Sequence, residues 1–237
     1  MNLIGKMKLY TTPFLWLLLL ACHSKQEKPS SRMRHAAVTT SAASMNYDSC
    51  KQQIFILKRL HGAEWNCTIK KGKEMVFTRA VTETIIPNWI GTKWDFNGTT
   101  EIPQQGSIAC GYFVTTVLRD AGLPVARVKL AQMASEQMIT SLVQPKYIQR
   151  FSNVAIDDFT AAVTKQGFGL YLIGLDNHTG FIYNDGDTVY FIHSSVVGTR
   201  NVQMEMASAS WVLQQSKYKV LGKISADEKV LNKWIHQ

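Results

Sequence analysis

The tetrapeptide Asn184-Asp185-Gly186-Asp187 lies between two runs rich in β-branched and aromatic residues, Phe181-Ile182-Tyr183 and Thr188-Val189-Tyr190-Phe191-Ile192. An Asp-Gly centre flanked in this way is a strong hairpin signal, because the tight turn needs residues that tolerate positive φ. It commits this part of the chain to antiparallel pairing and predicts a register. Whether the loop is Asp185-Gly186 or all four residues, paired residue numbers sum to 371, so His178 faces His193. Directly opposed side chains have Cβ atoms about 5 Å apart. Upstream, Gly169 to Leu175 reads as a buried strand, and Asp157 to Lys165 as a helix ended by Gly167.

A second well-defined element follows Cys110. Phe113, Val114, Val117, Leu118 and Ala121 recur at helical spacing, and Gly122 and Pro124 supply stop signals. Cys110 therefore sits at or just before a helix N-terminus, where the partial positive charge favours thiolate over thiol. Nearer the N-terminus, Ile54, Phe55, Leu57 and Leu60 fit a short amphipathic helix ending near Gly62, and Met75 to Ile90 is an apolar stretch interrupted by Pro87.

The first 45 residues read differently. Lys6 and Lys8 precede an apolar run that stops at Cys22, too short for the roughly 18 apolar residues a spanning helix needs, so residues 1–21 are expected to be a secretory signal. The ending Leu19-Leu20-Ala21-Cys22 resembles a bacterial lipobox, which implies acylation of Cys22 and anchoring of the mature chain to a membrane. Residues 22–45 are polar, with Ala- and Thr-rich sequence and no apolar period, and read as a tether. Residues 46–237 are expected to form one domain. His23 after the lipidated cysteine favours the outer membrane, facing the periplasm.

The 237 residues are 46 % hydrophobic and 18 % charged, which excludes disorder and collagen-like repetition. The net charge of +9 falls to +7 once residues 1–21, with two lysines and no acid, are removed. Its lysines and arginines are scattered, with only Lys70, Lys71 and Lys73 clustered, so no nucleic-acid surface is expected. No C-x-x-C, H-E-x-x-H, G-x-S-x-G, P-loop or dinucleotide fingerprint occurs, and no metal site or cofactor is expected. Of the four cysteines, Cys50 and Cys67 are candidates for a disulfide if the compartment is oxidising.

A cysteine at a helix start and two histidines on facing strands are the parts of a thiol nucleophile site. The thiolate attacks a carbonyl, one imidazole moves the proton, and the other fixes its tautomer, while amides at the helix start hold the oxyanion. The bland alternatives are a buried core cysteine at 110 and a hydrogen-bonded core histidine at 193.

Ile90-Gly91-Thr92-Lys93-Trp94-Asp95-Phe96-Asn97-Gly98-Thr99, then Ala109-Cys110-Gly111-Tyr112-Phe113-Val114, then His178-Thr179-Gly180-Phe181-Ile182-Tyr183 and Phe191-Ile192-His193-Ser194-Ser195 occur in this order. Over residues 85 to 195 the sequence resembles the NlpC family of cell-wall cysteine peptidases. The resemblance implies an α+β, papain-like core in which an N-terminal helix bearing the cysteine packs on an antiparallel sheet bearing the histidines. It further implies Cys110 as nucleophile, His178 as general base and His193 as the residue orienting it, with Trp94 and Tyr112 in the substrate site. Core packing is the alternative role for Trp94.

The sequence departs from the family where Ala109 and Gly111 replace an aspartate and a serine around the cysteine. Loss of the acidic flank removes a charge-assisted bond that would select a cationic peptide N-terminus. The separation from Cys110 to His178 leaves room for an insertion, residues 125 to 155, expected to form part of the cleft. The leading expectation is a lipid-anchored envelope amidase or endopeptidase that cleaves peptidoglycan peptides through a thioester. An inactive binding protein of the same fold and a thiol acyltransferase are the alternatives.

Overall fold

The computed structural model describes residues 47–237. The signal segment 1–21, the lipidation candidate Cys22 and the tether 22–45 lie outside the described residues. In chain order the elements are α1 (Tyr47–Gly62), α2 (Lys70–Arg79), a π-helical segment (Ala80–Ile85), α3 (Ile86–Trp89), α4 (Cys110–Asp120), α5 (Arg127–Ala131) and α6 (Ser135–Leu142). They continue with β1 (Ile148–Ser152), α7 (Ile156–Gln166), β2 (Gly169–Leu175), β3 (Thr179–Asn184), β4 (Val189–Ser194), β5 (Val202–Met206), α8 (Trp211–Gln215), β6 (Tyr218–Gly222) and α9 (Glu228–His236). The fold is α+β, with an open six-stranded sheet in the order β1-β6-β2-β3-β4-β5, every neighbouring pair antiparallel.

The pleat of this sheet feeds two apolar layers. On β2, Leu170 and Leu172 join one cluster while Tyr171, Ile173 and Leu175 join the other. All seven β2 residues are buried, as a strand covered on both faces requires. Helix α4 covers the first face, with Phe113 edge-on to Phe181 at 5.8 Å and to Trp89 at 6.3 Å. Its Thr115 and Thr116 are as buried as its apolar residues, so the helix is enclosed on nearly every side. Helix α7 supplies Phe159 and Val163 to the second face.

Three expectations are corrected near the N-terminal end of the described chain. The inward face of α1 is Cys50, Ile54 and Lys58, whereas Phe55 and Leu60 are 61 % and 70 % exposed. Lys58 wins the inner position because its stem packs inward while its Nζ donates to the Gly122 carbonyl just past the end of α4. Pro87 does not interrupt the helix. The preceding turn widens, with Ile86 N–H bonded five residues back to Val81, which absorbs the proline where a regular turn would clash.

Cys50 and Cys67 are both free thiols. Cys50 is buried against the Asn88 amide, and Cys67 is exposed. The two thiols thus sit in different settings, one inside the packed face of α1 and one at the surface after its end.

The hairpin register is corrected by two. Phe181 pairs with Ile192 and Asn184 with Val189, so paired numbers sum to 373. Asn184 stays in the strand because its buried amide donates to Val163 O, and the loop begins at Asp185, whose Oδ1 gathers the N–H groups of Asp187 and Thr188. An even shift preserves which face a side chain occupies. His178 and His193 therefore remain neighbours, as a diagonal instead of an opposed pair.

Candidate active site

Cys110 is the first residue of α4. The segment before it is clamped: Ser194 Oγ donates to Ile108 O, Ile108 N–H to Lys93 O, and Ala109 N–H to Gly98 O. Cys110 Sγ accepts backbone N–H groups from Thr179, Gly111 and its own residue. The Thr179 contact puts the thiol beside the residue that follows His178. Cys110 and His178 line the same cleft, and among the described residues no hydrogen bond joins their side chains.

His178 stands at the exit of a two-residue turn closed by Leu175 N–H donating to His178 O. The turn is pinned by Asp176, whose Oδ2 accepts from Lys217 N–H at 2.7 Å and Ser216 Oγ at 3.1 Å. His178 Nε2 lies 2.8 Å from His193 Nδ1, and His193 Nε2 lies 3.2 Å from Glu205 Oε1. His193 is fully buried, its ring stacked on Phe191 at 3.9 Å. Gly180 makes this possible, since a Cβ there would come within 2.9 Å of His193 Cβ and 2.7 Å of Ile192 O.

This chain assigns the tautomers. The Glu205 carboxylate can only accept, so His193 carries its proton on Nε2 and its Nδ1 is an acceptor. His178 then donates through Nε2, which leaves Nδ1 with a free lone pair for a proton acceptor's role. The Gln203 amide also approaches His193 Nε2, at 3.2 Å, and its O and N ends are interchangeable in shape, so the carboxylate decides the tautomer.

Burial pushes the Cys110 thiol above the usual range, against the three N–H groups that favour thiolate. Burial, with the neighbouring His193, pushes His178 down to about 3. Burial also lowers His193, opposed by Glu205, whose own carboxyl is lowered by that contact. The resting pair is thus neutral thiol and neutral imidazole. This corrects the expectation from the helix start: desolvation outweighs the dipole.

The cleft occupies about 1000 Å³ and includes Trp94, Tyr112, Gln132, Trp211 and the thiol in its lining. Trp94 is half-buried, forming cleft wall instead of core, with the Arg200 guanidinium over its ring at 5.1 Å. Tyr112 carries Arg127 over its ring at 4.8 Å. A second cavity of about 430 Å³ shares Cys110, Gly111 and His178 and continues toward Ser135, Glu136 and Tyr218. The thiol stands where the two meet. The segment 125–155 contributes to both, through Ala131. It also explains Gly111: a Cβ at 111 would lie 2.5 Å from Ala131 O, so no serine fits there.

Glu205, Gln203 and Phe191 were missed as site residues. The signal lay in β5, where Met204 and Met206 are 37 % and 55 % exposed while Gln203 and Glu205 turn inward, an inverted alternation that marks a polar demand on the inner face. No known protein-family model matches the chain, and no curated protein or solved structure is significantly similar to it.

Proposed function

We propose that the chain is a thiol-dependent amide hydrolase of the bacterial cell envelope with a papain-like, NlpC-like core, using Cys110, His178 and His193. The observation that carries this reading is the ordered chain from Glu205 through His193 to His178, which lines the same open cleft as the Cys110 thiol. In the reaction, His178 Nδ1 takes the Cys110 proton as Sγ attacks the amide carbon. The imidazolium then gives that proton to the leaving amine as the C–N bond breaks, which leaves a thioester. Water adds to the thioester, its proton passing through His178, and carboxylate and thiol are released. N–H groups at the start of α4 hold the oxyanion.

Peptidoglycan stem peptides are the substrates that the sequence resemblance suggests, and acylation of Cys22 would hold the enzyme at the outer membrane, facing the periplasm. The chemistry needs no cofactor. A second reading, a binding protein of the same fold without turnover, is favoured by the missing Cys110–His178 hydrogen bond and the protonated thiol. Alkylation of Cys110 by iodoacetamide across pH, in wild type, Cys110→Ala and His178→Ala, separates the two. Activation predicts a rate at pH 7 that falls about 10²-fold in His178→Ala, within the range of general-base contributions. A rate unaffected by that substitution and appreciable only above about pH 8, as for an unassisted thiol, supports the second reading.

A further inference from the structure

We infer that the peptide cut at Cys110 presents a bulky, uncharged apolar side chain to the larger cavity, next to the scissile bond. The inference rests on the thiol reading above and names the substrate class of that site. Three separate chain segments bring exposed large apolar residues to this one cavity: Phe96, 80 % exposed, from the loop before α4; Val196, 47 %, from the turn after β4; and Trp211, 57 %, from α8. A single exposed apolar side chain needs no explanation, but convergence from three segments on a cavity holding a nucleophile marks a binding surface. Trp94 and Tyr112 extend the same aromatic wall.

Charge narrows the choice. Among the described residues no lysine or arginine lines the cavity, and its one carboxylate, Asp176, already accepts from Lys217 N–H and Ser216 Oγ. An anionic peptide segment would meet no cation in the lining itself; Arg200, stacked on the Trp94 ring, is the cation next to that wall. Polarity narrows it again. Asn97, Gln132, Asn177 and Gln215 interleave with the aromatic residues. Carboxamides both donate and accept, which suits a peptide backbone, whereas a lipid alkyl chain would strip their water and replace none of it.

The test compares iodoacetamide with N-benzyl-2-iodoacetamide on the full chain carrying Cys67→Ser, following the peptide that contains Cys110 by mass spectrometry and taking each rate relative to glutathione. The benzyl reagent is expected to be favoured about tenfold, the gain of burying one aromatic ring incompletely. Phe96→Ala and Trp211→Ala should each bring the ratio toward 1, while Phe55→Ala, equally apolar but on α1, should leave it unchanged. Equal rates for the two reagents overturn this inference and leave the thiol reading standing. So does cleavage of an acidic stem peptide in preference to one with phenylalanine beside the scissile bond. A Cys110 inert to both reagents overturns the thiol reading and this inference with it.

Discussion

His178 has two ring nitrogens: Nε2 is held by His193, and Nδ1 makes no hydrogen bond among the described residues, on a side chain that lines the cleft with Cys110. Glu205→Ala removes the acceptor that orders this tautomer chain. Nitrogen-15 NMR of the histidine rings should show both in the Nε2–H form in the native protein and a mixture in the variant, with Cys110 alkylation intermediate between native and His178→Ala. His178 also carries a pH-dependence of sign opposite to an ion pair. Its pKa is near 3 folded and about 6.5 unfolded, so above pH 6.5 it contributes nothing, and as pH falls the unfolded state gains the proton first. The resulting loss of stability is about 2 kcal/mol at pH 5 and levels off below the folded pKa. Urea unfolding at pH 7.5 and pH 5 should therefore show a smaller drop for His178→Gln than for the native protein. Both histidines and the thiol were legible as candidates in the sequence. Glu205 was not, because it reaches the site only through the pairing of β5 with β4, which no local pattern shows.

At the scale of elements, the contact between α4 and α5 decides what can flank the nucleophile. Gly111→Ser forces a side chain against the Ala131 carbonyl and should destabilise by about 1–3 kcal/mol, the usual cost of overpacking, read as a lowered denaturant midpoint. A midpoint equal to the native one would mean that α5 moves aside freely. The glycine looked in the sequence like the loss of a functional serine; the structure gives it a packing reason. The hairpin teaches a related lesson. Turn chemistry placed the loop to within one residue, but the anchoring of Asn184 by Val163 O, a residue of α7, moved the start of the turn. Local sequence does not contain that partner. Face assignment survived because the displacement was even.

Across the molecule, two strands of the sheet, β5 and β6, come from the chain after residue 195. β5 provides one edge and the glutamate, and β6 lies between β1 and β2. The free cysteines supply a global check: Cys67 should react with a thiol reagent at once in the native protein, Cys50 only on unfolding, and Cys67→Ser should leave stability within about 0.5 kcal/mol. A native protein in which neither thiol reacts until a reductant is added would contradict the structure. The sequence by itself determined the buried strand β2, the helix that starts at Cys110 and the common face of the two histidines. All of these follow from periodicity and turn chemistry acting over a few residues. Only the tertiary structure decided the neutral state of the thiol and imidazole, the link from His193 to Glu205, the aromatic wall of the cleft and the different settings of the free thiols Cys50 and Cys67. Those depend on desolvation and on contacts between residues far apart in the chain, quantities that no local pattern encodes.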